Sequence, residues 1–453
     1  MATTKKNTFS SNLGVIMAAV GSAVGLGNIW RFPYTCGKYG GGAFLIVYLC
    51  FVFLLGSTLM ISEFVIGRRT QHTPVKAFQS LHPKKAWGLV GLLGLITSFF
   101  ILSQYLVLSG WTTNYVWDSL TGRLAALGTD SGTISNYFSQ FSTSAGRPVV
   151  FLVVFSVFCL AIIMCGVQKG IENVSKVLMP LLVLIVLVLC VRSLTLPGAG
   201  KGLEYLFLPD FSKLSGEGVL AALGQALFSL SVGMGVMIVY GSYMPLNDNI
   251  FKTAMWITSC DTLIAVLAGV AIFPAVFSCG FDPAGGPGLV FCVLPNVFNS
   301  MGGAGVVFST LFFLLLVVAA MTSAISLLEA LTAALHEHSI INRQVSAVVF
   351  FLLTTAFGIL FALSVGPLSN ITLGHAHLTL FDFVDRLNSI YLPPICSLIT
   401  IIFFGWVMPE ADVRDELSNH GTLKIGYYSV FRFLARYLAP LALLVVLVTG
   451  ILG

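Results

Sequence analysis

Two polar side chains stand where the surrounding sequence tolerates them poorly. Asn28 and Arg31 lie within residues 19–34 (AVGSAVGLGNIWRFPY), a run too apolar for a surface loop and punctuated by Gly21, Gly25 and Gly27. One interior glycine costs a helix about 1 kcal/mol relative to alanine, so this spacing predicts a break. Unwound backbone at membrane depth is tolerated only where protein buries it or it lines a cavity. The break therefore reads as a binding site. A second break is written into residues 224–235 (GQALFSLSVGMG), where Gly233 and Gly235 interrupt an apolar run beside Ser229 and Ser231. Asp261 is an intramembrane carboxylate in the following run. Such a group is a functional candidate by default; the alternative is a protonated residue packing two helices. Covalent chemistry lacks its parts: no GxSxG or HExxH occurs. His72, His82, His336, His338, His375 and His377 sit at run ends or in loops without a ligand framework. The nine cysteines form no CxxC pair and read as small buried hydrophobes.

The elements that must position these residues are transmembrane helices. The chain has 453 residues, 57% hydrophobic and 9% charged, against about 25% charged in soluble domains. A bilayer core of about 30 Å takes roughly 20 apolar residues per helix. Eleven runs qualify, near 13–36, 42–67, 88–120, 147–166, 171–192, 218–241, 253–279, 304–336, 345–364, 379–407 and 430–452. The fold class is all-α and polytopic, with a lipid bilayer as its surroundings. The breaks fall in runs one and six, at corresponding places of two five-helix halves, which is the sequence pointer to an inverted-repeat transporter with a midplane site. The division is a 1–12 N-terminal segment, a first repeat 13–192, an inverted second repeat 218–407, and an eleventh helix 430–453. The formal charge of +5 is spread through short loops, which speaks against a nucleic-acid partner. Lys5, Lys6, Arg68, Arg69, Lys76, Lys84, Lys85, Lys169, Lys252, Arg343, Arg414 and Lys424 fall on one side. By the positive-inside rule the N-terminus is cytoplasmic and the C-terminus outside. Residues 121–146 read as an outer loop. Residues 281–303 read as a loop with a short amphipathic piece (289–298), either a lid or a packed connector. Gly170 and Pro180 mark a helix end in run five, either one able to unwind or a static kink.

Residues 21–34, the Gly40-Gly-Gly-Ala-Phe44 segment, the Glu63 segment, residues 225–235 and residues 288–295 together resemble the neurotransmitter:sodium symporter family, over nearly the whole chain and in order. Eleven runs and the Gly170–Pro180 spacing resemble its bacterial amino-acid transporters, of the bacterial inner (cell) membrane. The resemblance implies inverted five-helix repeats with broken helices 1 and 6, and two sodium ions. The first would use the Ala23 carbonyl, Asn28, Ser229 and Asp261, plus the substrate carboxylate. The second would use the carbonyls of Gly21, Val24 and Ala319 with Thr322 and Ser323. Oxygen donors suit a hard cation. By themselves, Thr322 and Ser323 read as helix-interior hydroxyls bonded to backbone.

Asp261 replaces the Asn of a bacterial family member, and Ala265 stands where that member has a compensating Glu. Asp261 is thus expected to supply both a ligand and the negative charge that other members take from chloride, which makes transport chloride-independent. The substrate amino group would meet carbonyls near Ala23, Phe228, Ser229 and Ser231. Its carboxylate would meet the amides of Leu26 and Gly27 and the Tyr105 hydroxyl. Gly25 stands where amine transporters carry Asp, so the resemblance implies an amino-acid substrate. Val24, Ile101, Tyr105, Phe228, Ser231, Met234, Ser323 and Leu327 would line its side-chain pocket, an apolar surface suited to neutral hydrophobic L-amino acids. The resemblance also implies an outer gate of Arg31 with Asp382 (Asp385 competing), an aromatic lid of Phe228 and Tyr105, and an inner latch of Lys6 with Glu337. Tyr243 and Glu329 would join the inner network, and Glu63 would brace the breaks by accepting backbone N–H bonds. A channel would want a continuous lined pore, and an enzyme would want the motifs that are missing. A sodium-coupled symporter with alternating access is the expectation.

Overall fold

The computed structural model describes residues 9, 11–82, 85–280, 288–374 and 377–452. Among them nine helices are long and apolar enough to cross a bilayer: Gly42–Thr70, Gly88–Leu120, Arg147–Met164, Val167–Leu194, Ile250–Ser278, Gly303–His338, Arg343–Val365, Leu380–Val407 and Tyr428–Gly450. A further crossing is bent by 48° between Leu13–Ala23 and Gly27–Lys38. The sixth in chain order is Gly216–Ser229 followed by Val236–Tyr243. Nine, one and one make the eleven expected, each overlapping its expected run, and they are numbered spans 1–11 below.

The spans form an inner group and an outer ring. The apolar window of span 8 is 78% buried, while that of span 11 is 28% buried; lipid covers the difference in a membrane. Spans 3 and 8, with 33 and 36 residues, extend about 50 Å at 1.5 Å per residue. They pack along each other against the broken spans. Glycine permits the closest approaches. A Cβ on Gly67 of span 2 would lie 2.0 Å from the Ile238 carbonyl of span 6, so only hydrogen fits there.

Both breaks are present, and their backbone accounts are specific. Span 1 ends its first helix at Ala23, where Val24 is extended. The Gly25 and Leu26 amides would ordinarily bond the Gly21 and Ser22 carbonyls. Instead Gly25 donates to Asn28 Oδ1 (3.1 Å) and Leu26 to the Tyr105 hydroxyl (2.8 Å). Two carbonyls are thereby released from the helix. In span 6, Ser231, Gly233 and Gly235 take φ of 53°, 74° and 75°, a left-handed region that glycine enters without penalty.

Three connecting segments differ from the sequence reading or resolve it. Residues 121–146 are not merely loop: Ser131–Ser142 is helical, N-capped by Asp130. Its Tyr137, Phe138 and Phe141 pack against the core and Ile134 on the same face is buried, a helical period hidden by the Ser/Thr/Gly content. Leu289–Val293 and Leu294–Ser300 are helical turns with Leu289, Val290 and Phe291 buried. This is the packed connector, with Phe291 stacked on Phe138 at 5.2 Å; residues 281–287 lie outside the described residues. In span 5 the Gly170–Pro180 segment is wound, as a π-turn Val167–Glu172 running into Asn173–Leu194. Gly170 serves close packing here, since a Cβ on it would meet the Ile162 carbonyl at 2.1 Å.

Candidate functional site

The two breaks face each other. The Ser231 hydroxyl of span 6 donates to the released Ser22 carbonyl of span 1 (3.0 Å). Glu63 of span 2 accepts the Gly233 amide on Oε1 (2.6 Å), the backbone-bracing bond expected of it, and Ser98 of span 3 donates to the Met234 carbonyl (2.7 Å). Gln225 donates to the Gly27 carbonyl (2.8 Å). Irregular backbone is thus satisfied by side chains of neighbouring spans, as burial in an apolar medium requires.

The residues proposed for the first ion converge. Asp261 is fully buried, and its carboxylate accepts from Asn28 Nδ2 (2.8 Å) and Ser229 Oγ (2.6 Å). The Asn28 amide also donates to Ser229 Oγ and the Asp261 carbonyl, both at 3.0 Å. In this arrangement the Asn28 oxygen faces the Gly25 amide, and its nitrogen faces Asp261. The amide donates to the carboxylate, so it presents no oxygen there. The second set also comes together. Ser323 Oγ lies 3.5 Å from the Gly21 carbonyl, 3.0 Å from that of Ser22 and 3.4 Å from that of Val24. Thr322 Oγ1 lies 3.1 Å from the Ala319 carbonyl, and Gly21 packs against the Thr322 side chain. Ser22 was absent from the sequence reading, although its hydroxyl bonds Ser326 (2.7 Å) and its carbonyl takes two serines. Among the described residues no three His, Cys, Asp or Glu side chains gather. The donors are carbonyls, hydroxyls and one carboxylate, a set that fits a monovalent hard cation better than a transition metal.

Beneath these groups is a small cavity of about 20 Å³ lined by Ser22, Ala23, Gly25, Gly27, Ile101, Tyr105, Phe228, Ser229, Ser231, Met234, Ser323 and Leu327. Ten of these belong to the expected substrate set. Val24 does not line it, and Leu26 faces the cavity above instead. Of the expected carboxylate donors, the Leu26 amide here donates to the Tyr105 hydroxyl. A Cβ on Gly25 would meet Ser323 Oγ at 2.5 Å and Tyr105 Oη at 2.7 Å, so any side chain at this position forces a shift. A volume of this size admits about one water.

A larger cavity, about 310 Å³, lies above it toward the Lys38 end of span 1. Tyr105 and Phe228 line both cavities and separate them. Phe138, Trp111 and Phe381 wall the upper one. Arg31, Asp382 and Asp385 all face it, yet Arg31 makes no ion pair among the described residues. Its guanidinium lies over the Phe228 ring at 4.9 Å. Asp382 is occupied in a cap, where it accepts from Thr379 Oγ1 (2.7 Å). The expected Arg31–Asp382 pair is therefore open.

At the opposite end the described residues are tied together by a polar network. Tyr243 donates to Glu329 (2.8 Å), as the inner network requires, and Arg343 of span 9 completes it through Glu329 and the Ile163 carbonyl. Phe9 packs edge-on against Tyr240 and Tyr243. Glu337 is held by His72 and Thr73, with Lys76 on its carbonyl. Lys6 lies outside the described residues. The sequence reading missed Arg343, His72 and Thr73 here, because charges in short loops carry no sign of their partners.

A bundle with two opposed broken spans, oxygen-rich clusters beside the breaks and cavities above and below an aromatic partition defines a membrane carrier. The sodium:neurotransmitter symporter family model matches residues 6–136 and 133–453, and the chain belongs to that family. A sodium-dependent transporter of Bacillus subtilis (strain 168), itself uncharacterized, is 38% identical, with 98% of each chain covered. The sodium-dependent serotonin transporter of Drosophila melanogaster is 29% identical over 99% of this chain and 77% of its own. The crystal structure of MhsT in complex with L-phenylalanine superposes with a TM-score of 0.90 at 39% identity, covering 98% of this chain and 100% of that one. The family consists of sodium-coupled membrane transporters rather than enzymes, and this chain is one of them.

Proposed function

We propose that the protein is a chloride-independent symporter coupling sodium entry to uptake of neutral hydrophobic L-amino acids, aliphatic and aromatic. The observation that carries this reading is the small cavity, lined by released backbone, serines, Ile101, Met234 and Leu327, with no charged side chain among its lining residues. MhsT, solved with L-phenylalanine, supports the substrate class. Two sodium ions bind. Ala23, Ser229 and Asp261 hold the first, joined by Asn28 once its amide is turned over; Gly21, Val24, Ala319, Thr322 and Ser323 hold the second. Sodium supplies positive charge and an oxygen-coordination centre; the chain supplies the fixed donors. Leu26, Gly27 and Tyr105 orient the substrate carboxylate. Asp261 supplies the anionic charge, so no halide is needed. Arg31 with an Asp of span 10 closes the upper side, and Lys6 with Glu337 contributes to closure below. Alternating access then rests on binding that differs between states, within two inverted repeats in a bacterial inner membrane, N-terminus cytoplasmic and C-terminus outside.

Sodium-driven accumulation of L-phenylalanine or L-leucine in proteoliposomes tests this. Accumulation above the external concentration, lost when potassium replaces sodium, is expected. Equilibration without accumulation, or a preference for glycine or lysine, refutes it.

A further inference from the structure

The upper cavity contains a hydrogen-bonded chain that the gate reading does not use. Gln104, on span 3 next to Tyr105, donates from Nε2 to Asp385 Oδ1 at 2.6 Å. Asn388, one turn along span 10 and almost fully buried, donates from Nδ2 to Gln104 Oε1 at 3.0 Å. The carboxylate accepts, so the Gln104 nitrogen points at it and the Gln104 oxygen is left for Asn388. The Asn388 oxygen has no partner among the described residues. Every candidate gate group is therefore held by something other than its opposite charge. Arg31 lies on Phe228, Asp382 accepts from the N-capping Thr379 hydroxyl, and Asp385 is on Gln104.

The geometry points to Gln104 as a positioning residue that holds the upper gate open by capturing Asp385 away from Arg31. Asn388 orients the capturing amide. Closure that draws Asp385 toward Arg31 pulls it away from Gln104, so the strength of that bond contributes to the ratio of open to closed protein. A hydrogen bond to a charged group is stronger than one between neutral groups, and losing it moves the balance toward closure. The inference rests on the proposed function for the identity of the gate, but its readout needs no substrate.

The experiment measures how fast a membrane-impermeant thiol reagent labels Ile101→Cys, which lies beneath the gate, in sodium without amino acid. The parent without this cysteine gives the background. Gln104→Leu removes the amide, and labelling is expected to slow by about three- to tenfold. In an Asp385→Ala background the same substitution should change nothing, because its partner is gone. Unchanged or faster labelling in Gln104→Leu overturns the inference, and so does slowing that persists with Asp385→Ala. If Gln104→Leu does not fold, Gln104→Asn, whose amide is withdrawn by one methylene, replaces it with the same expected outcomes. Bound L-phenylalanine should leave Gln104→Leu more slowly by a similar factor. Failure of sodium-driven phenylalanine uptake with the labelling shift intact would reject the substrate reading and leave the gate inference supported.

Discussion

Replacing Asp261 by Asn removes one charge and little else. The side chain keeps its shape, and an amide in the same place still accepts from Asn28 and bonds Ser229. Tyr48, whose hydroxyl lies 3.4 Å from Ser229 Oγ, supplies an acceptor for the Ser229 O–H if Ser229 must accept from the new amide. Folding should survive. Sodium binding should not remain the same. Two unit charges about 4 Å apart attract by about 4 kcal/mol at an effective dielectric constant of 20. The carboxylate is fully buried, so its desolvation has already been met in the fold and offsets little of that on binding. With a factor of ten per 1.4 kcal/mol, sodium affinity should weaken by about two to three powers of ten. The assay is thermal stabilisation of purified Asp261→Asn by sodium, titrated against potassium at constant ionic strength, with circular dichroism to check folding. A folded variant whose sodium midpoint stays within about threefold of the parent would refute the reasoning. Asp261 would then be a helix-packing residue.

Four further outcomes follow from the same geometry. Gly25→Ala places a methyl within 2.7 Å of both the Tyr105 and Ser323 hydroxyls, so amino-acid affinity should fall by tenfold or more in equilibrium binding while helical content is kept. Gly67→Ala drives a methyl into the Ile238 carbonyl; overpacking of this kind costs roughly 1–3 kcal/mol, readable as a lowered thermal midpoint. Glu63→Ala leaves the Gly233 amide unsatisfied, at a cost of about 1–3 kcal/mol, whereas Glu63→Gln keeps an acceptor and should cost less; equal losses would mean that the bond does not brace span 6. Replacing chloride by gluconate should leave sodium-driven uptake unchanged, and lost uptake would remove Asp261 from its charge-balancing role.

The sequence carried the fold where one physical constraint acts alone. A run of apolar residues without charge must be a helix in lipid, since no water satisfies its backbone, and eleven such runs became eleven spans. The breaks were legible for the same reason. Gly21, Gly25 and Gly27, or Gly233 and Gly235, have no use in a straight helix, and the structure unwinds the chain at both places. Asp261 stood out by itself as an intramembrane carboxylate, and motif resemblance extended the reading to Thr322 and Ser323, which as isolated letters were ordinary helix residues. The helix Ser131–Ser142 escaped, because its inward face of Ile134, Phe138 and Phe141 is diluted by polar residues facing water.

Only the tertiary structure decided who bonds to whom. The sequence offered Arg31 two aspartates and gave no reason to involve Gln104, which reaches Asp385 only because spans 3 and 10 pack together. It assigned an oxygen of Asn28 to a cation, while the fold turns that oxygen to Gly25 and the nitrogen to Asp261. It named Val24 as a wall of the side-chain pocket, whereas the extended backbone at the break leaves Val24 out of the small cavity's lining. Composition and spacing determine which backbone must break and what that exposes, because those are local energies. Pairing between spans depends on distances set by packing across the whole bundle, and no stretch of the chain encodes them by itself.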